Sequence, residues 1–403
     1  MPHNSSKNTI VFLSSKDYFN ILGPFINSTL LWAKKGFNVE VISYTESEKI
    51  KNKNDKINYL SLTKPYIVKW LCKIIDALFS FVHSSKRQGY KYFISNIYFS
   101  YKTHKYLKKN KNKIFLVVAT EPFSLLSAHL IKKYCPYIYF EQELTLWDES
   151  FGLLNRLSKY FEVISCKGAI CCTEFDEYRS KLFSKDNHYP PNKMIILPNA
   201  PLGKPKLERK YYFNEKFNID KKKKILLYTG GIALYNYTYE IIEKYQETVD
   251  DVVLVMHCWG SRTEIEKLVE YASGFAKKVY FSLESLEYED IDMLYSSCDI
   301  GFAMYSDNTL NHKFTGFSSG KMFNFFKACV PVITNNTLLL SGTIGSSGLG
   351  VCINNVNELN YAINKILVNE VEMKNNCFLN YYKFCFEDNH EKLINIVLQH
   401  SHV

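Results

Sequence analysis

Long apolar runs are missing from this 403-residue chain. No stretch approaches the roughly 18 uninterrupted apolar residues that a spanning helix needs. The opening MPHNSSKNTIVFLSS lacks the basic start and long apolar core of a secretory signal, so a cytoplasmic protein is expected. Cysteine spacing with chemical meaning is missing too. The eleven cysteines are scattered, Cys171 and Cys172 are adjacent, and no zinc-ligand pattern occurs. Buried, reduced thiols are the expectation. The sequence carries no recognisable RNA- or DNA-binding module, so no nucleic-acid partner is expected. His83, His104, His129 and His188 stand alone, and Gly342, Gly345, Gly348 and Gly350 form no dinucleotide fingerprint.

What is present describes a globular chain of more than one core. Apolar residues make up 46% and charged residues 22%, the balance of a water-soluble fold. The length calls for two domains. The net charge of +10 is unevenly placed: residues 51–113 hold 15 Lys and Arg against 2 Asp.

The pattern along the chain alternates strand and helix. Asn8 to Ser15 (NTIVFLSS) reads as a strand, PFINSTLLWAKKG as a helix capped by Gly36, and FNVEVISY as a second strand. Strands at IFLVVAT, YIYFEQ, GAICCT and MIILPN follow, with helical segments between them. Such β-α-β units imply a parallel sheet. A polar segment, APLGKPKLERKYYFNEKFNIDKKKK, reads as a linker. The alternation then restarts with KILLYTGG, VVLVMHCWG, VYFSLES and DIGFAMY as strands. The expected organisation is an N-terminal Rossmann-like domain over 1–200, a linker over 201–222 and a second Rossmann-like domain over 223–375. A C-terminal helix within 376–403 is expected to pack back on the first domain. Ligands of open α/β sheets bind at the carboxyl ends of the strands, so a cleft between two such domains is expected to hold them.

Several stretches, in order, resemble the GT-B glycosyltransferases, specifically the mostly retaining bacterial group 1 family. In the second half these are ILLYTGGI, VVLVMHCWGSRTEIEKL, VYFSLESLEYEDIDMLYSSCDIGFAMY and SSGKMFNFFKACVPVIT. In the first half they are IYFEQEL and IILPN. The resemblance implies an α/β fold of two doubly wound Rossmann-like domains facing a central cleft. It implies a nucleotide-sugar as substrate, no other cofactor and no metal. It places Gly230 and Gly231 at the donor diphosphate, and Ser318, Ser319, Gly320 and Lys321 at a helix start aimed at the donor. The physics agrees, since unpaired N–H groups at a helix start favour an anion. The bland reading of the same stretch is an ordinary N-cap at Ser318 with a solvated Lys321.

The sequence departs from the family pattern at several points. The family's two acidic positions, eight apart, fall on Gly316 and Asn324. Asn324 retains an amide for a ribose hydroxyl, and the loop with Asp307, Asn308, Asn311 and His312 is a candidate replacement for the other. The cations that follow the first Gly turn are replaced by Tyr235, Asn236 and Tyr237. Arg262 is a further donor-binding candidate, or simply a surface residue at a helix start. In IYFEQEL, Gln142 stands at the family's His position beside Glu141 and Glu143. Strand alternation puts these two carboxylates on one side. One is expected to act on the acceptor hydroxyl or the sugar; the bland reading is a pair of loop carboxylates.

Residues 64–113 interleave Lys with Tyr and Phe, and Ile67, Trp70, Leu71, Ile74 and Leu78 follow helical spacing. The segment suits an anionic membrane surface or acceptor, or a solvated helical face. The expected function is a hexosyltransferase-like enzyme acting on a glycan or glycolipid acceptor of lipopolysaccharide or capsule assembly. It would work in the cytoplasm, peripheral at the inner face of the membrane. The alternatives are a non-catalytic GT-B-shaped scaffold subunit and, less well matched by motif order, a nucleotide-sugar epimerase.

Overall fold

The computed structural model describes residues 7–16, 23–44, 54–64, 66–78, 84–150, 152–232, 237–286, 290–306 and 315–400. Tyr235, Asn236 and the loop with Asp307, Asn308, Asn311 and His312 lie outside the described residues. The chain divides into two compact units. One comprises residues 1–198 with 387–403, the other residues 199–386.

The first unit is built on seven strands: β1 (Thr9–Leu13), β2 (Asn38–Ser43), β3 (Ile57–Ser61), β4 (Ile114–Ala119), β5 (Tyr137–Phe140), β6 (Cys172–Glu174) and β7 (Met194–Ile196). Their order is β3-β2-β1-β4-β5-β6-β7, with every pair parallel. Central strands of such a sheet are covered on both faces and read as continuous apolar runs. In β1, Ile10 to Leu13 are fully buried, and Leu116 to Ala119 are in β4. The order reverses between β1 and β4, which opens a crevice at their carboxyl ends. The expected strand GAICCT is only Cys172–Glu174, because Ile170 and Cys171 pair singly with the backbone of Tyr137 and Tyr139 ahead of it.

The helix Phe386–His400 belongs, from Glu387 on, to this first unit. Buried His390 sits with Nε2 at 2.8 Å from the Ser28 hydroxyl and edge-on to Trp32, and Lys35 pairs with Glu391 at 2.8 Å.

The second unit carries β8 (Lys224–Gly231), β9 (Val252–Trp259), β10 (Tyr280–Ser282), β11 (Ile300–Ala303), β12 (Val332–Asn335) and β13 (Gly350–Ile353). The parallel order is β10-β9-β8-β11-β12-β13, so here the reversal lies between β8 and β11. The helix Gly320–Lys327 presses directly on β11. A Cβ at Gly301 would fall 2.6 Å from the Phe325 ring, and Phe323, Phe325 and Phe326 are buried. Only glycine permits that approach.

The segment after Asn199 runs along this second unit. Arg209 pairs with buried Asp299 at 2.9 Å, and the backbone N–H groups of Lys206 and Lys210 donate to Lys327 and Ser296. Within it Tyr212–Phe217 is a short helix. The cysteines are all free; Cys72 and Cys352 are half-buried and the other nine buried. Among the described residues no helix is long and apolar enough to cross a membrane.

Candidate functional site

Each unit gathers polar groups at its own strand reversal. In the second unit the site begins at the end of β8. Gly230 has φ +147°, a conformation that residues with a Cβ rarely adopt. The Lys321 ammonium lies 3.5 Å from where a Cβ at 230 would stand. Lys321 comes from the second position of the helix Gly320–Lys327. Its Nζ donates to the Thr229 carbonyl at 3.2 Å and lies over the rings of Tyr305 (4.4 Å) and Tyr228 (5.6 Å). Burial pushes its pKa down to about 8. Among the described residues no carboxylate lies within ion-pair distance of it. A cation so placed has its stem packed on aromatics and its charge uncompensated, which is the setting of an anion site.

The neighbouring candidates have mixed placements. Ser319, not Ser318, is the helix N-cap: its hydroxyl accepts from the Met322 N–H at 3.4 Å and meets the Tyr305 hydroxyl at 2.6 Å. The Ser318 carbonyl accepts from the Asn199 amide at 2.8 Å, and a Cβ at Gly320 would press on that amide. Asn324 donates its amide N–H to the Gly320 carbonyl at 2.9 Å and keeps its oxygen. At the end of β9, Trp259 is exposed and its indole nitrogen lies 3.5 Å from a Cβ position on Gly231. Arg262 stands apart. It is 92% exposed and paired with Glu266 at 2.7 Å on a helix capped by Ser261 and Glu264.

An Asp-x-Asp triplet, Asp290 to Asp292, occurs at the start of the helix Ile291–Tyr295. Its Asp292 is held by Lys327 at 2.7 Å. Among the described residues no group of three or more His, Cys, Asp or Glu is placed to hold a metal ion.

In the first unit a cavity of about 350 Å³ opens at the carboxyl ends of β4 and β5. Its lining includes Lys16, Glu121, Glu141, Glu143, Lys159 and Glu162. Glu121 precedes the helix Pro122–His129, with proline at its first position. It is buried, and accepts from the hydroxyls of Ser14 and Ser124 (2.8 Å each) and the backbone N–H groups of Ser15 and Lys16 (3.2 Å each). Burial raises its pKa against those donors.

Glu141 and Glu143 both line this cavity, though not through strand alternation. β5 ends at Phe140, so strand alternation stops before either residue. Glu141 is buried; its Oε1 accepts from the Glu143 N–H at 2.8 Å, and the Tyr139 hydroxyl is a further hydrogen-bond partner of the carboxyl. Burial, then the charges of Glu162 and Glu174, push its carboxyl well above the usual range. Glu143 is exposed and pairs with Lys16 at 2.6 Å. Burial pulls the Lys16 pKa down, and Glu143, with Tyr92 and Glu121, more than offsets it. Deeper, buried Lys159 reaches Glu162 (2.6 Å), Asp186 (2.7 Å) and the Thr145 carbonyl (2.8 Å), and Tyr139 donates to Glu162 at 2.7 Å.

Sequence reasoning did not single out Glu121, Lys159, Glu162 or Tyr305. The Glu-Pro pair at a helix start was a readable signal for Glu121. Lys159 and Glu162 look like an ordinary helical i, i+3 pair until the fold buries them.

Two Rossmann-like units in one chain, each reversing its strand order beside a polar site, define the GT-B architecture. Solved structures agree across almost the whole chain. The N-terminal domain of a Candida albicans trehalose-6-phosphate phosphatase superposes with a TM-score of 0.69 at 12% identity, over 100% of this chain and 98% of that one. A Rickettsia africae glycosyltransferase gives 0.69 at 13%, over 98% and 99%. Anabaena HepE, in complex with UDP-glucose, gives 0.66 at 12%, over 98% and 100%. At such identities the likeness speaks for the fold. No protein-family model matches the chain, and no curated protein sequence does.

Proposed function

We propose that this protein is a glycosyltransferase, moving a sugar from a nucleotide-sugar to a surface-glycan acceptor such as a lipopolysaccharide, capsule or lipid-linked intermediate. The observation that carries the reading is Lys321. It is a cation without a carboxylate partner among the described residues, at a helix start, beside a glycine that leaves room for a ligand. That arrangement suits a diphosphate. The HepE structure holds UDP-glucose in the same fold.

In this reading the backbone at Gly230, Gly231, Ser318, Ser319 and Gly320 approaches the diphosphate, and the Asn324 oxygen accepts from a ribose hydroxyl. Arg262 is left out, being exposed and paired with Glu266. As the bond from the anomeric carbon to the diphosphate oxygen breaks, negative charge grows on the leaving group. Lys321 and the helix N–H groups stabilise it. In the first unit Glu141 holds the acceptor, and Glu143, paired with Lys16, takes the proton of the attacking hydroxyl.

The peripheral-membrane reading rests on the helices Tyr66–Leu78 and Ser84–Asn110. The first buries Val68 and Ile75, whereas Tyr66, Ile67 and Trp70 face outward among Lys64, Lys69 and Lys73. Exposed aromatics set among lysines suit an anionic lipid surface.

The test of function is calorimetric titration of the full chain with UDP, GDP, CMP and dTDP and their sugars. Selective binding of one nucleotide supports the transferase. Silence across the panel favours a non-catalytic scaffold, a reading motivated by Gly316 and Asn324 at the family's acidic positions. Glu143→Gln is expected to lower turnover about 100-fold, the low end for a general base, with donor affinity unchanged. Full turnover in that variant would make Glu143 structural.

A further inference from the structure

The strand end beside Lys321 has a second flank. β8 finishes on Gly230 and Gly231, and a strand end without side chains leaves room for a close approach. The Lys321 ammonium lies 3.5 Å from a Cβ position on Gly230. Trp259, the last residue of β9, is paired in register with Gly231, and its indole nitrogen lies 3.5 Å from a Cβ position there. The Trp259 carbonyl accepts from the Ile232 N–H at 2.9 Å. The backbone is therefore held, while the side chain is 61% exposed. Among the described residues the indole meets no other ring and its N–H meets no acceptor. Leu283, the first residue past the neighbouring strand β10, is exposed as well.

An exposed indole gains most from a ligand that covers its face, and a flat π-system matches that face best. A sugar ring would also need partners for its hydroxyls, and the titratable side chains beside Trp259 are already engaged. Glu264 accepts from the Ser261 N–H at 2.7 Å, and Arg262 pairs with Glu266. Glu284 is held by Lys216, Tyr212 and Ser282, and His257 lies 3.0 Å from the Ser282 hydroxyl. An aromatic heterocycle makes no such demand through its faces. The spacing fits too. Consecutive residues carry the two contacts, so the ammonium and the indole nitrogen stand within about three strand spacings of each other. That leaves room for a ribose between a phosphate and a base.

We propose that Trp259 is the platform on which the base of the nucleotide stacks, with the diphosphate at Lys321 and the bare strand end of Gly230 and Gly231 between them. The assignment rests on the nucleotide-sugar reading above and adds the residue that meets the base.

The experiment titrates the full chain calorimetrically with UDP, GDP, CDP and dTDP, and with inorganic pyrophosphate, which has the charge and no base. The expected result is a nucleoside diphosphate that binds at least tenfold tighter than pyrophosphate. Trp259→Ala should weaken that nucleotide by roughly 5- to 150-fold, the range for one base–aromatic stack, and leave pyrophosphate unchanged. Trp259→Phe should recover most of the loss. Trp259 is also the single tryptophan between residues 199 and 386. The wild-type emission should therefore change as the nucleotide binds and stay unchanged with pyrophosphate, a signature that needs no variant. Undiminished nucleotide affinity in Trp259→Ala overturns the proposal. So does an equal loss for nucleotide and pyrophosphate, a nucleotide no tighter than pyrophosphate, or an emission blind to the bound nucleotide. Nucleotide binding that survives the alanine change sinks this assignment and keeps the transferase reading; no nucleotide binding at all sinks both.

Discussion

Replacing Lys321 with methionine is expected to weaken binding of the nucleotide diphosphate by roughly 10- to 150-fold, the equivalent of about 1.5–3 kcal/mol for a hydrogen bond to a charged group. Methionine keeps the stem that packs against Tyr228 and Tyr305, so folding is expected to survive. Lys321→Ala should weaken binding similarly while leaving a void between the rings. The pH dependence provides a second signature. Burial sets the ammonium's pKa near 8 in the unliganded protein, and a bound diphosphate raises it. Binding therefore takes place on the protonated form. Affinity should be flat below about pH 8 and fall above it, by up to tenfold per pH unit. The methionine variant should show no such fall. Unchanged affinity in the variant, or a fall above pH 8 that persists in it, removes Lys321 from the site.

The second large effect is on stability. Glu141 has a folded-state pKa well above its unfolded value, because burial and the neighbouring Glu162 and Glu174 disfavour its charge. Below about pH 4.5 it is protonated in both states. As pH rises, the unfolded chain releases the proton while the folded chain holds it. Stability then declines with pH by up to about 1.4 kcal/mol per unit until the folded pKa is passed. Glu141→Gln keeps an oxygen for the Glu143 N–H and cannot ionise. The variant should match the wild type at pH 4.5 and unfold at a higher temperature at pH 8. Parallel melting profiles for the two proteins from pH 4.5 to 8 would refute this account. A stabilising loss of a buried carboxyl is also what a functional site leads one to expect, since such groups are kept at the expense of stability.

Much of the fold is legible in the sequence, for a physical reason. Buried parallel strands must be continuous apolar runs. NTIVFL, IFLVVA, KILLYTGG and VVLVMHCW announce themselves as strands, and the order of their intervening helices dictates a parallel sheet. The apolar period of residues 66–78 gives a helix, but not which side of it is covered. Ile67 and Trp70 look like core and are exposed, because Val68 and Ile75 make the contact instead. Glu141 and Glu143 do line one cavity, but the strand stops at Phe140, and the burial of the first and the Lys16 pairing of the second come from the fold and not from alternation.

The sequence by itself determined two doubly wound α/β halves, the positions of their strands, and a glycine–lysine pair, Gly230 and Lys321, worth following. Those are consequences of local periodicity and backbone freedom, which neighbouring residues encode. Only the tertiary structure decided that Lys321 lies over two tyrosines with no carboxylate at hand among the described residues. Only it buried Glu121, Glu141, Lys159 and Glu162 around one cavity. Charge balance and burial arise between segments far apart in the chain, and no local pattern records them.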